Sequence, residues 1–203
     1  MFQLGRGDAQ IGRKRLASVP VRSLTWEQVI GRRLERSRLL ARDGRLVEVA
    51  SAVCGVQAQV QLAAELALGM RGDGWTRDDT LAALWERREL VKTWSLRGTL
   101  HLHGADDLPL WIAASNTVEP WWHDERRLEP FGLRREQAEA ILQALLDALD
   151  GRALGSEQLG EEIAAGVGAW ATAATGVIQF GRPALRWRQL LGAAVARGQL
   201  CFG

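Results

Sequence analysis

The chain has 203 residues, 47% hydrophobic and 25% charged, with a formal net charge of +2. This is enough for one large domain or two small ones with real cores, and it excludes a disordered or fibrous polymer. No apolar run approaches the roughly 18 residues of a transmembrane helix, so no membrane partner is expected. Cys54 and Cys201 lie far apart without a partner motif, so no disulfide framework is expected and a reducing cytoplasm fits.

Only Lys14 and Lys92 are lysine; every other basic residue apart from the histidines is arginine. Arginine suits bidentate phosphate and base-edge contacts, and it is also what a GC-rich genome writes. Residues 1–20, with Arg13-Lys14-Arg15, read as a disordered basic arm. Thr25 with Gln28 three residues on is a capping box, and the helix behind it carries Val29, Ile30 and Leu34 on one face. Asp43-Gly44 ends that element, and a short helix runs from Leu46 to Cys54. A third helix spans Leu62 to Met70, followed by a Gly-Asp-Gly turn. A fourth is capped at Thr76 and turns Leu81, Leu84 and Trp85 inward. Trp26, Trp85 and Trp94 all sit in apolar patterns that predict core positions.

Residues 90–103 are β-rich and read as two strands joined around Arg97-Gly98. Helices followed by a β-hairpin make a helix-turn-helix with a wing. Asp106-Asp107 opens a further helix, favoured by the dipole at its N-terminus. Residues 119–132, rich in Trp and charge, read as a linker in which Trp121-Trp122 serves packing or base stacking. Arg134 to Leu149 is amphipathic, Ser156 caps another helix, and Pro183 is expected to open a last helix that ends at Arg197-Gly198. Leu200-Cys201-Phe202 starts a strand. The expected fold is mainly α with short β-hairpins (α+β), in tandem winged-helix units. The division is an arm over 1–20, a first unit over 21–118, a linker over 119–132, and a second unit over 133–203 that stops at its wing.

The stretch of most chemical interest is Gly55-Val56-Gln57-Ala58-Gln59-Val60-Gln61. If it is extended, a period of 2 places all three amides on one side. If it is helical, Gln57 and Gln61 share a face and Gln59 points away. Gly55 favours a break in the helix. From residue chemistry alone, Gln57 and Gln59 either satisfy local backbone groups or act on a substrate.

Leu24-Thr25-Trp26, Gly55 to Gln59, Leu84-Trp85-Glu86-Arg87-Arg88 and the run from Trp94 to Leu102 occur together, in this order. On these motifs the chain resembles, over residues 22–203, the bacterial winged helix DNA-binding domain proteins that include the AlkZ and YcaQ DNA glycosylases. Members of that family are nearly twice as long and carry further winged-helix material, including a hairpin used on DNA. The resemblance implies removal of alkylated bases, unhooking of interstrand crosslinks in some members, and a catalytic Gln-x-Gln motif, here Gln57 and Gln59.

Amides fit one version of that chemistry. Breaking an N-glycosidic bond passes through an oxocarbenium-like sugar. A glutamine carbonyl can face that cation and hold a water, but a neutral amide is a poor general base. Such a site works when the leaving group is already good, as a cationic N-alkylpurine is. Lys92, Arg97 and His101 are candidates for contacts to the DNA backbone, against the alternative of a solvated wing edge. His101 and His103 share a strand face without an acidic or Cys companion, so no metal and no cofactor are expected. With no Schiff-base lysine in the motif, no lyase step is expected. Double-stranded DNA is the expected partner, with no obligate protein partner. The alternatives are a non-catalytic winged-helix DNA-binding regulator and a fragment with only a packing or protein-interaction role.

Overall fold

The computed structural model describes residues 23–95, 98–117 and 120–202. The basic arm, Arg97 and Glu119 lie outside these residues. The chain is a mainly helical α+β protein with two small antiparallel sheets.

Helix α1 (Trp26–Arg36) starts at the Thr25 capping box, both halves of which are formed. Its apolar stripe is present, yet none of its residues is buried. Trp26, expected in the core, is 74% exposed. The periodicity reports which residues share a face, and the described residues cover that face only in part, at Val29.

The first core is gathered by α2 (Leu46–Ala52), β1 (Val56–Gln57), α3 (Gln61–Gly69), α4 (Arg77–Leu81), β2 (Leu90–Trp94) and β3 (Leu100–Gly104). The sheet order is β1-β3-β2, all antiparallel. Helix, short strand, helix, helix and two-stranded wing is the winged-helix order, with α3 and α4 as its helix-turn-helix. Leu46, Ala50, Val56, Ala58, Leu68, Leu84 and Leu102 form the shared core.

Helix α4 starts at a second capping box on Thr76 and widens into a π-helical turn over Ala82–Glu86. There the amide of Arg87 reaches back five residues to the Ala82 carbonyl at 2.8 Å. The wide turn changes the helical phase. Leu84 stays buried as expected, whereas Trp85 is turned to the surface. Trp94, also expected in the core, is only half-buried, edge-on to Phe202.

After α5 (Leu108–Ser115), the stretch read as a linker contains a short helix, α6 (Glu125–Leu128), between two 3-10 turns. It contributes Trp122 and Leu128 to the second core. That core is built on α7 (Arg135–Leu149) and α8 (Ser156–Val167), through Ile141, Leu142, Leu145 and Ile163.

The sequence between α8 and the last helices departs from expectation. Pro183 opens no helix. It lies in a hairpin of β4 (Ala174–Gln179) and β5 (Arg182–Leu185). A two-stranded ribbon consists of edges, where a residue without an amide proton is tolerated. The helical segment starts at Arg186 as α9 (Arg186–Gln189) and resumes after Leu190 as α10 (Leu191–Ala196), burying Trp187, Leu190 and Ala194. Nor is Ser156 the cap of α8, since Gly155 occupies the N-cap position. The strand expected at Leu200–Phe202 reduces to one bridge, Phe202 to Lys92, on the outer edge of the first sheet.

Candidate active site

The glutamine joint is set up by how α2 ends. Val53 is the C-cap, Cys54 takes a left-handed φ of 61°, and Gly55 follows at φ 93°. The amide of Gly55 bonds the Ala50 carbonyl and that of Cys54 bonds the Ser51 carbonyl, each at 2.9 Å. This is the Schellman arrangement, which satisfies the last carbonyls of a helix and turns the chain away sharply. The turn delivers the next residues as an extended edge of the sheet.

There Val56 pairs with Leu102 and Gln57 with His101. The Ala58 amide continues the ladder to the Leu100 carbonyl at 2.7 Å. Alternation then does what a strand requires: Val56 and Ala58 are buried, and Gln57 and Gln59 are exposed. The extended reading of the joint holds for these two amides. Gln61 departs from it, because α3 begins at that residue. Its Oε1 accepts from Lys92 Nζ at 3.0 Å.

The two exposed amides are not equivalent. Oε1 of Gln59 accepts the Leu100 amide at 3.3 Å, so that carbonyl closes the end of the β1–β3 ladder. Gln57 has no hydrogen-bond partner for its side chain among the described residues. It opens into a cleft of about 920 Å³ between α1, the end of α2 and α3. Arg32, Arg36, Arg38 and Arg71 line the cleft with one carboxylate, Glu35. Arg71 fixes the wall by donating to the Ser37 carbonyl at 2.9 Å and to the Ala67 carbonyl at 2.6 Å. The arginines were visible in the sequence, but not that those around α1 and α3 would line one cleft with Gln57.

Behind the glutamines the sheet is braced by histidines. Directly opposed residues of antiparallel strands project to one face, so Gln57, His101 and Thr93 form one row. His101 is 8% exposed and donates Nδ1–H to the Thr99 carbonyl at 2.9 Å. So enclosed, it has little surface for a phosphate. His103, fully buried, stacks on His101 at 5.7 Å and meets Trp111 of α5 in a tilted contact at 4.7 Å. Burial, helped by the nearby His101, pushes its pKa down to about 4, while Asp107 pulls weakly the other way. The sequence placed His103 on one strand face with His101, and the structure shows the residue buried there against Trp111. Lys92 is half-buried on the opposite sheet face, held by Gln61. Among the described residues no three His, Cys, Asp or Glu side chains are grouped to hold a metal ion. No described helix is long and apolar enough to cross a membrane.

A winged-helix unit with an extended Gln-x-Gln edge beside a basic cleft defines a class of nucleic-acid-binding fold. The model of one family, the AlkZ-like DNA glycosylases, matches residues 50–203, and the chain belongs to that family. Among curated proteins, the interstrand DNA cross-link repair glycosylase of Streptomyces sahachiroi is 29% identical over 140 residues, covering 66% of this chain and 36% of the relative. Among solved structures, the Streptomyces sahachiroi DNA glycosylase AlkZ aligns with a TM-score of 0.70 and 25% identity, covering 90% of this chain and 47% of that one. The chain thus spans about half the length of the solved structure it matches and about a third of the curated relative.

Proposed function

We propose that the chain carries the base-excision site of a DNA repair glycosylase that hydrolyses the N-glycosidic bond of cationic alkylated purines in double-stranded DNA. The observation that carries this reading is the exposure of Gln57 and Gln59 on one side of an extended edge, with Gln57 lining a cleft rich in arginine. In this role the Gln57 carbonyl faces the developing sugar cation and holds the attacking water. Gln59, partly committed to Leu100, fixes the joint and shares the water. The cleft arginines neutralise phosphates on either side of the lesion. Arg97 and Lys92 are assigned to backbone contacts at the wing, and His101 to bracing the strand that holds Gln57.

The amide pair offers no general base, so the substrate must bring its own leaving group. This limits the reaction to bases alkylated at a ring nitrogen, including one arm of an interstrand crosslink, as in the cross-link repair relative. Excision is monofunctional and needs no metal or cofactor. We place the protein in the cytoplasm, acting without an obligate protein partner. We take residues 21–118 as the first unit and 133–203 as the second.

A sequence-specific regulator is the weaker reading. A helix-turn-helix presents the N-terminus of its second helix to the major groove, and here that end carries exposed Asp78 and Asp79. The test is incubation with duplex DNA bearing one N7-alkylguanine, followed by alkali and counting of strand breaks. Breaks from the native chain, lost in Gln57→Ala with Gln59→Ala, are expected. Tight DNA binding with no breaks from either protein would replace the glycosylase reading with a binding role.

A further inference from the structure

The β4–β5 hairpin ends in a two-residue turn, with Gln179 paired to Arg182 and Phe180-Gly181 between them. Phe180 has φ 52° and Gly181 φ 76°. Positive φ at both central residues is the type I′ turn, which calls for Asn-Gly or Gly-Gly. A bulky aromatic in the first position is an outlier with a backbone cost of its own. Phe180 gains nothing from packing in exchange, because it is 97% exposed, with Ile178 also exposed on the adjoining strand. Strain and exposure together put the ring at the end of a ribbon, where no described residue covers it.

Charge identifies the occupant. The hairpin carries Arg182 and no Asp or Glu, and Arg188 is exposed on α9, whereas Arg186 is engaged by the Phe131 and Trp170 carbonyls and Arg197 by Glu139. Arg182 sits on the hairpin itself, next to Gly181. An exposed aromatic tip with Arg182 beside it, on a ribbon that has no carboxylate of its own, matches a stacked base step next to a phosphate backbone. Proteins that open or kink a duplex insert apolar side chains in this way, and extruding a base for excision requires its stack to be broken.

We infer that the 174–185 hairpin is a duplex-opening wedge, with Phe180 stacking between base pairs and Arg182 holding an adjacent phosphate. The inference rests on the DNA-directed function proposed above. It adds a DNA-contacting residue well separated in sequence from the glutamines.

The experiment uses the 203-residue chain and a fluorescent 25-mer duplex containing a central 2-aminopurine beside a tetrahydrofuran abasic analogue. Binding is read by anisotropy and unstacking by 2-aminopurine emission. The native chain and Phe180→Trp bind and raise the emission. Phe180→Ala binds about 5- to 150-fold more weakly, the range for loss of one aromatic–base stack, and gives no rise. Phe180→Asn, suited to the left-handed turn, weakens binding equally while its thermal midpoint stays or climbs, so loss of fold is not the cause. Equal binding and equal emission from Phe180→Ala would overturn the wedge and leave the glycosylase reading intact. No DNA binding by the native chain at low salt would overturn both.

Discussion

Gly55 backs directly onto the imidazole of His103. A Cβ at position 55 would stand 2.6 Å from Nδ1 and 3.2 Å from Nε2 of that ring, and the backbone there holds φ +93°. The residue that turns the chain out of α2 is also the one that lets β1 lie against the buried histidine. Gly55→Ala is therefore expected to cost about 2–4 kcal/mol from backbone strain and overpacking together. Urea denaturation checks it. The double variant with His103→Ala should recover part of the loss, since only the steric share is relieved.

Stability should depend on pH through His103. In the unfolded chain a histidine titrates near 6.5, while in the folded protein burial and then His101 hold His103 to about 4. Between those values the unfolded state binds the extra proton. Stability is thus fully present above pH 6.5 and is lost as pH falls toward 4, by an amount on the order of 3 kcal/mol. Denaturant midpoints at pH 7.5 and 4.5 measure the loss. His103→Leu should lose less over the same interval than the native chain does.

The two catalytic candidates should separate in a stability assay. Gln57 has no partner to lose among the described residues, so Gln57→Ala should leave the thermal midpoint unchanged. Gln59→Ala frees the Leu100 amide and should cost about 0.5–1 kcal/mol. Both should lower excision. A Gln59 variant that loses stability yet keeps full excision would confine that residue to closing the ladder.

Glu65 offers a test of the first core. Its carboxylate is 3% exposed, meets Arg77 Nε at 2.9 Å, and leaves Oε1 unpartnered among the described residues. Arg77→Ala strands a buried charge and should cost about 1–3 kcal/mol, discounted because Arg77 itself is 66% exposed. Glu65→Leu removes the charge altogether and should be close to neutral. Chemical denaturation of both variants distinguishes a pair that stabilises the fold from one that merely tolerates burial.

What was legible in the sequence follows from which signals are local. The capping boxes at Thr25 and Thr76, the amphipathic α7 and the extended Gln57–Gln59 edge each depend on residues a few positions apart, and each formed. Trp26 misled because periodicity says which residues share a face, not what covers it, and Trp85 because the π-helical turn over Ala82–Glu86 shifts the helical phase. Pro183 misled because proline opens helices and also sits on free strand edges, and only the pairing of Ile178 with Pro183 decides between them. The cleft arginines and the Gly55–His103 contact join elements far apart in sequence, and no short window contains them.

The bridge between Lys92 and Phe202 also bears on the order of synthesis. β2 is an outer strand of its sheet, and the residue that closes part of its free side is made more than half a chain later. While the chain is being made, the first unit can gather its core but carries an unpaired strand edge, the kind of surface that recruits another copy. Nascent chains on one message are thus exposed to mispairing at Leu90–Trp94 until Phe202 has left the ribosome.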